Sequence, residues 1–191
     1  MSDLFVIGID EVGRGPVAGP VVVCACAIQA GTDVIQYFPK QQLRDSKKLT
    51  EKHRQEILHK IAPLKESREV LFGIGEVSAS QIDEIGISQA IRDAMQIALT
   101  SLHVQKVPKE SFVFLDGSLH APETYSQETI IKGDEKVKEI SLASIFAKEY
   151  RDTIMKNYAK EFPEYSFENH VGYGTKAHYE AILKHGFTKL H

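Results

Sequence analysis

Short apolar runs open this chain, and apolar positions at helical spacing dominate later. Phe5, Val6, Ile7 and Ile9 form the first run, predicting a strand over residues 4–10. After a glycine-rich turn, Val21-Val22-Val23-Cys24-Ala25-Cys26-Ala27-Ile28 predicts a second strand over residues 20–29. Thr50 can cap a helix from Glu51 to about Ala62, with Ile57, Leu58 and Ile61 buried and Pro63 ending it. Residues 69–77 alternate as a third strand. Beyond Gly86, the positions Ile87, Ala90, Ile91, Ala94, Ile97, Ala98 and Leu102 recur at helical spacing. Phe112-Val113-Phe114-Leu115 and Thr129-Ile130-Ile131 read as short strands. Residues 137–160 read as a second long helix, whose Ser141, Ala143, Ser144 and Ala147 permit close packing on a sheet. A Pro/Gly/aromatic loop over 162–174 and a final helix over about 175–185 complete the pattern. Early neighbouring strands followed by alternating strands and helices predict an α/β fold, a mixed central sheet flanked by helices.

Composition changes this picture little. With 191 residues, 42% hydrophobic and 26% charged, the chain is expected to form one domain over 1–191, with a short helical extension from about 162. No segment reaches the roughly 18 apolar residues of a membrane helix. The start carries Asp3 and no basic region before an apolar stretch, so no signal peptide is expected and the cytoplasm is the default compartment. Cys24 and Cys26 lie two apart on a strand and read as small core residues. Without a second cysteine pair, and with eight scattered histidines, neither a disulfide framework nor a zinc site is expected. The net charge of −3 does not announce a nucleic-acid partner. Basic residues do gather between Lys40 and Lys60, and again at Lys176, Lys184 and Lys189. Such runs suit a solvated helix face as well as a phosphate-binding surface.

The chemistry concentrates in Asp10-Glu11-Val12-Gly13-Arg14-Gly15, at the end of the first strand. Adjacent carboxylates offer hard oxygen ligands, and the glycines allow close backbone approach to a polar ligand. A dinucleotide-binding turn needs a helix next, whereas Pro16, Pro20 and a strand follow here, and the spacing G-x-G-x-x-x-G is wrong. The nucleotide-hydrolase phosphate loop is excluded because no Gly-Lys-Ser/Thr closes the run. Asp10, Asp116 and Asp134 each follow an apolar strand-like segment, and open α/β sheets gather sites outside their strand ends. Together with Glu11 they predict one acidic cluster. Crowded carboxylates repel unless cations neutralise them. The pattern therefore implies Mg²⁺ or Mn²⁺, two ions about 3.5–4 Å apart as in phosphoryl-transfer sites.

These stretches resemble the bacterial ribonuclease HII group of the type 2 ribonuclease H family. The resemblance is carried by Gly8-Ile9-Asp10-Glu11-Val12-Gly13-Arg14-Gly15-Pro16, Asp45-Ser46-Lys47-Lys48-Leu49, Leu115-Asp116-Gly117 and Lys132-Gly133-Asp134. It continues through Ser141-Leu142-Ala143-Ser144-Ile145-Phe146-Ala147-Lys148 with Arg151-Asp152, and Gly172-Tyr173-Gly174-Thr175, in family order across nearly the whole chain. It implies a ribonuclease H-like fold, hydrolysis of the RNA strand of RNA–DNA hybrids, and incision 5′ of single ribonucleotides in duplex DNA, leaving 3′-OH and 5′-phosphate ends. Asp10, Glu11, Asp116 and Asp134 match the family's metal-binding catalytic carboxylates. Gly13, Arg14 and Gly15 match its segment that senses the ribose 2′-OH, the group that separates RNA from DNA. Tyr173 matches the tyrosine that stacks on the neighbouring deoxyribose. Lys47 matches a lysine that approaches a backbone phosphate, and a solvated lysine before a helix explains it equally well.

Arg14, Asp134 and the start at the first strand favour HII over the related ribonuclease HIII. Val171 stands where the family commonly has a lysine, so a phosphate contact there is expected to be weaker or supplied by Lys176. The tail after Gly186 lacks an obvious sliding-clamp-binding motif, and a monomer is expected. A hybrid-specific ribonuclease without junction preference is the alternative enzyme. A binding module without catalysis would require the loss of an acid, and all four positions are filled.

Overall fold

The computed structural model describes residues 4–37 and 49–191. Lys47 and most of the Asp45–Leu49 stretch therefore lie outside the described residues. Five strands form one mixed sheet in the order β3-β2-β1-β4-β5. β1 (Phe5–Val12), β2 (Val21–Gln29) and β3 (Val70–Val77) are antiparallel neighbours. β4 (Phe112–Asp116) and β5 (Gln127–Ile130) run parallel to β1.

Helices cover both faces. On one side α4 (Ile87–Val104) lays Ala94, Ala98, Leu99 and Leu102 against Ile7, Ile9, Val23 and Leu115. On the other, α5 (Lys138–Glu161) packs Leu142, Ala143 and Ile145 against Cys24, Cys26 and Ile28. β2 is thus covered on both sides, which is why its sequence is continuously apolar rather than alternating. α1 (Glu51–Lys60) adds Ile57 to the α5 side, and Thr50 caps it by accepting from His53 N–H at 3.3 Å. Both cysteines are free and buried, as small core residues.

A third, smaller cluster lies beyond the sheet. Met155 of α5 meets Ala18, Tyr165, Phe167 and Leu190 there, with α6 (Phe167–His170) and α7 (Lys176–His185) built around it. Each large apolar side chain buried in it contributes roughly 1.5–3 kcal/mol, and there are few of them.

Four local features depart from the sequence pattern. Pro63 does not end the helical region: the chain breaks at Ile61 and restarts as α2 (Ala62–Glu66), where proline fits the first turn. A further helix, α3 (Ala79–Ile85), precedes α4, with Ser78 and Gln81 forming a capping box. β5 stops at Ile130, leaving Ile131 exposed, because Lys132 adopts a left-handed conformation. The 162–174 loop also contains a 3₁₀ turn, Pro163–Tyr165, and α6. Among the described residues, no helix is long and apolar enough to cross a membrane.

Candidate active site

Backbone register sets the first two acids. Gly8 pairs with Phe114 and Ile9 with Leu115 across β1 and β4, so Asp10 and Asp116 are the next residues on strands about 4.8 Å apart. Side chains alternate between faces along a strand. Ile9 and Leu115 pack toward α4, which turns Asp10 and Asp116 toward the α5 side, where Cys24 lies opposite Asp10. The two acids are only 3% and 8% exposed, yet both line a cleft of about 440 Å³. Glu11, Gly13, Arg14 and Gly15 line the same cleft, as do Arg54, Ser144, Lys148 and Tyr173.

Asp134 is placed differently. It is buried in the 3₁₀ turn Gly133–Glu135 rather than at the tip of β5, and it is not among the residues lining the cleft. Gly133 N–H donates to Asp116 Oδ1 at 2.6 Å, which ties that turn to β4. Ser141 Oγ of α5 donates to the Asp134 carbonyl from the other side. The cleft therefore gathers Asp10, Glu11 and Asp116, while Asp134 is joined to Asp116 through the backbone of its neighbour. Among the described residues, no three carboxylate, imidazole or thiol side chains form a ready-made ion cage. Repulsion between carboxylates opposes such closure until cations offset it.

The donor set in the cleft is carboxylate oxygen with the Ser144 hydroxyl alongside, which suits a hard divalent cation. Soft donors are withheld. Cys24 and Cys26 are fully buried, and burial pushes both thiols up, with the Asp10 carboxylate adding to the effect at Cys24. The cations sit around the acids. Arg14 is 3.8 Å from Glu11. Arg54 is buried and held by Asp152 at 2.9 Å and Glu149 at 3.2 Å, and Lys148 shares the Asp152 carboxylate.

The glycine-rich turn is fastened to the loop carrying Tyr173. At Gly13, with φ +96°, a Cβ would lie 2.4 Å from the Pro20 carbonyl oxygen and 2.7 Å from Arg151 Nε. At Gly172, with φ +88°, it would lie 2.2 Å from the Ala18 oxygen. Neither site accepts a side chain without displacement. Val17 and Ala18 N–H both donate to the Gly172 carbonyl, at 2.9 and 3.3 Å. Arg151 completes the joint, donating to Pro20 O at 2.8 Å, Ala18 O at 3.0 Å and Val171 O at 2.7 Å. Its guanidinium is fully buried, and burial lowers its pKa from the usual arginine value. A Cβ at Gly15 would meet Tyr173 Cε1 at 3.6 Å, so the tyrosine ring borders the turn directly.

Val171 is held at φ 44°, a strained conformation for a β-branched residue that costs about 1–3 kcal/mol. Lys176, the alternative phosphate contact, begins α7 with its side chain 90% exposed, 3.7 Å from Glu180. It does not line the cleft. The sequence pattern alone did not single out Arg54, Ser144 or Lys148 for the site. Ser144 and Lys148 carry a readable signal, since residues four apart share a helix face. Arg54 sits in a basic run and looks like a solvated residue until its partners on α5 are known.

A mixed five-stranded sheet flanked by helices, with acids where parallel strands end, defines a protein of the ribonuclease H-like fold. Solved structures agree. Over 98% of this chain and 92% of the other, the fold matches the ribonuclease H2 of Pyrococcus horikoshii OT3 at TM-score 0.74 and 22% identity. A structure described as Bst-RNase HIII in complex with Mn²⁺ matches at TM-score 0.68 and 18% identity, covering 96% of this chain and 63% of that one. At such identities the likeness concerns the fold. The sequence is more specific, because the ribonuclease HII family profile matches residues 7–191. Ribonuclease HII of Chlamydia abortus is 42% identical over 98% of this chain and 82% of its own length. That of Chlamydia trachomatis serovar A is 46% identical over 94% and 76%. The chain belongs to the ribonuclease HII family and is accordingly an endoribonuclease of the ribonuclease H type.

Proposed function

We propose that this protein hydrolyses the RNA strand of RNA–DNA hybrids and incises duplex DNA 5′ of a single embedded ribonucleotide, leaving 3′-OH and 5′-phosphate ends. The observation that carries this reading is the composition of one cleft: Asp10, Glu11 and Asp116 share it with Gly13, Arg14, Gly15 and Tyr173. Acids suited to phosphodiester hydrolysis thus adjoin backbone suited to reading a sugar. Asp10, Glu11, Asp116 and Asp134 would hold Mg²⁺ or Mn²⁺, two ions in the full site. When bound, such ions polarise the phosphate and raise the acidity of water.

The chain's own residues do the rest. Gly15 keeps a side chain out of the space beside Tyr173, and Gly13 lets the turn pack on Pro20 and Arg151, so the turn's backbone can approach the 2′-OH. Arg14, 3.8 Å from Glu11 and with its side chain 55% exposed, can swing from that carboxylate to the backbone of the strand. The half-exposed ring of Tyr173 offers its face to the next sugar and thereby registers the RNA-to-DNA junction. Lys148 and Arg54 add positive charge beside the acids, and Lys47 is assigned a phosphate contact from its motif. The 191 residues act as one catalytic unit, a cytoplasmic monomer. The test is incision of an end-labelled duplex carrying one ribonucleotide, with Mg²⁺ and with chelator. One Mg²⁺-dependent cut on the 5′ side of the ribonucleotide is expected. Cleavage confined to continuous hybrids would reject the junction reading.

A further inference from the structure

Next to Tyr173, three histidines use all six of their ring nitrogens, and their bonds fix where each proton sits. Gly172 N–H donates to His170 Nδ1 at 3.3 Å, so a neutral His170 carries its proton on Nε2, facing the Tyr165 carbonyl at 2.9 Å. Thr188 N–H donates to His191 Nδ1 at 2.9 Å, which puts the His191 proton on Nε2. That atom lies 3.1 Å from His178 Nε2, which must therefore accept. His178 Nδ1 in turn donates to the Tyr173 carbonyl at 2.9 Å. One neutral tautomer per ring satisfies every bond. A metal reading fails, because the nitrogens are spent on one another and on backbone.

We propose that His178 and His191 are positioning residues for Tyr173: a directional relay, from Thr188 N–H through His191 and His178 to the Tyr173 carbonyl, fixes the tyrosine ring beside Gly15. The proposal rests on the reading of Tyr173 as the junction contact. His178 is fully buried, and its backbone N–H is bound by Thr175 Oγ1 at the start of α7, so the donor is rigidly placed. Thr175 N–H supplies the second bond to the Tyr173 carbonyl, at 2.8 Å. The relay is the side-chain half of that grip.

Protons oppose the relay. An added proton sets two N–H groups face to face, either between His178 and His191 or between His191 and Thr188. Thr188 Oγ1, 3.0 Å from His191 Nδ1, softens only the second case. Burial lowers the pKa of both rings; at His178 the backbone bonds to Tyr173 and Gly172 oppose this and the nearby His170 adds to it, while at His191 the nearby His178 adds to it and the backbone of Thr188 opposes it. Other titratable and charged groups around the relay are Tyr165, 5.3 Å from the His191 ring, His185 beyond it, Arg151 from α5, and the Lys189–Glu161 pair outside. His170 itself stacks on His178 at 4.4 Å.

Two measurements test this. Nitrogen-15 NMR of the imidazoles in the unaltered protein at about pH 7.5 should show the proton on Nδ1 of His178 and on Nε2 of His191. A charged ring or the opposite tautomer at His178 would overturn the relay. The second measurement is steady-state kinetics on a duplex carrying one ribonucleotide. His191→Leu should raise KM about tenfold with kcat within about twofold, and His191→Gln, which keeps a donor, should recover most of the loss. Tyr173→Ala should raise KM similarly, and the His191→Leu/Tyr173→Ala double variant should add little. An unchanged KM in Tyr173→Ala refutes the junction reading of the tyrosine. A raised KM there with none in His191→Leu refutes the relay alone. If His191→Leu fails to fold, the unaltered protein still decides. Its preference for the single-ribonucleotide duplex over a continuous hybrid should hold through the ordinary histidine range and fall as pH drops through the lowered pKa of the pair, and a ratio that stays flat while imidazole NMR shows the rings charging counts against the relay.

Discussion

The acidic end of the sheet and the cap formed by residues 162–191 border the same cleft, but different forces hold them. Asp10 and Asp116 are placed by strand register, with a continuous hydrogen-bonded ladder and two packed helices behind them. Tyr173 has no sheet behind it. Its position depends on Arg151 joining three carbonyls, on close contacts at Gly13 and Gly172, and on a small core around Met155 and Phe167. The groups to which we assign catalysis therefore sit on the sheet, and those to which we assign substrate discrimination sit on the part secured by individual bonds. Substitutions should separate the two: those in the sheet alter chemistry, and those in the cap alter recognition and stability.

The largest expected effect is on chemistry. Asp10→Asn should lower single-turnover incision by on the order of 10²–10³-fold or more, leaving thermal unfolding and duplex affinity nearly unchanged. Retained Mg²⁺-dependent cleavage would remove Asp10 from the mechanism. Next comes the joint between the regions. Arg151→Met should lower stability by about 3–5 kcal/mol in urea unfolding, because it removes the guanidinium that donates to the Pro20, Ala18 and Val171 carbonyls. The surviving folded fraction should show a raised KM rather than a lowered kcat. A kcat loss with KM unchanged would mean that the acids, too, depend on this joint.

The smallest effect concerns Glu139, a carboxyl buried at the start of α5 beneath β1. Burial raises its pKa from the ordinary glutamate value, opposed only in part by a bond to its own backbone N–H and by Lys138. A raised folded pKa means that its stability contribution is complete below the unfolded value and is lost as pH rises through the folded one. Glu139→Gln should therefore gain about 1 kcal/mol at pH well above the folded pKa, and nothing near pH 4, by thermal unfolding at the two pH values. An equal gain at both would point to packing instead of charge. Unlike Asp10, this carboxyl is one whose charge the fold merely tolerates.

How much could be read from the chain follows the same division. The helix over 87–104 shows as apolar periodicity because burial of one face imposes a period, whereas the strand over 21–29 shows as an unbroken apolar run because both of its faces are covered. Asp116 shows because the end of β4 is a local event, whereas β1 does not end at Asp10 as its apolar run suggests: it continues to Val12, paired with β2, so Asp10 and Glu11 lie inside the strand. Asp134 is less legible: it lies in a one-turn 3₁₀ segment stabilised by Asp116 and Ser141, partners supplied by other elements. Arg54, Arg151 and the histidines were legible as residue types only. The two arginines act on carboxylates and carbonyls distant in sequence, such as Ala18 for Arg151, and no local pattern records those pairings, while the histidines act mostly on neighbours within five residues, whose geometry only the folded loop sets.

One bond from the cap also bears on how the molecule comes into being. Gly19 N–H, at the end of the glycine-rich turn, donates to the Leu190 carbonyl at 2.7 Å. A ribosome adding about 5–20 residues per second exposes that turn roughly ten to thirty seconds before its partner exists. Through that interval the sheet can nucleate on β1 and β2 while the recognition loop stays unfinished. A growing chain thus holds the glycine-rich turn long before the residue that fastens it, so an arrested polypeptide short of residue 190 would carry the turn without its last backbone tie.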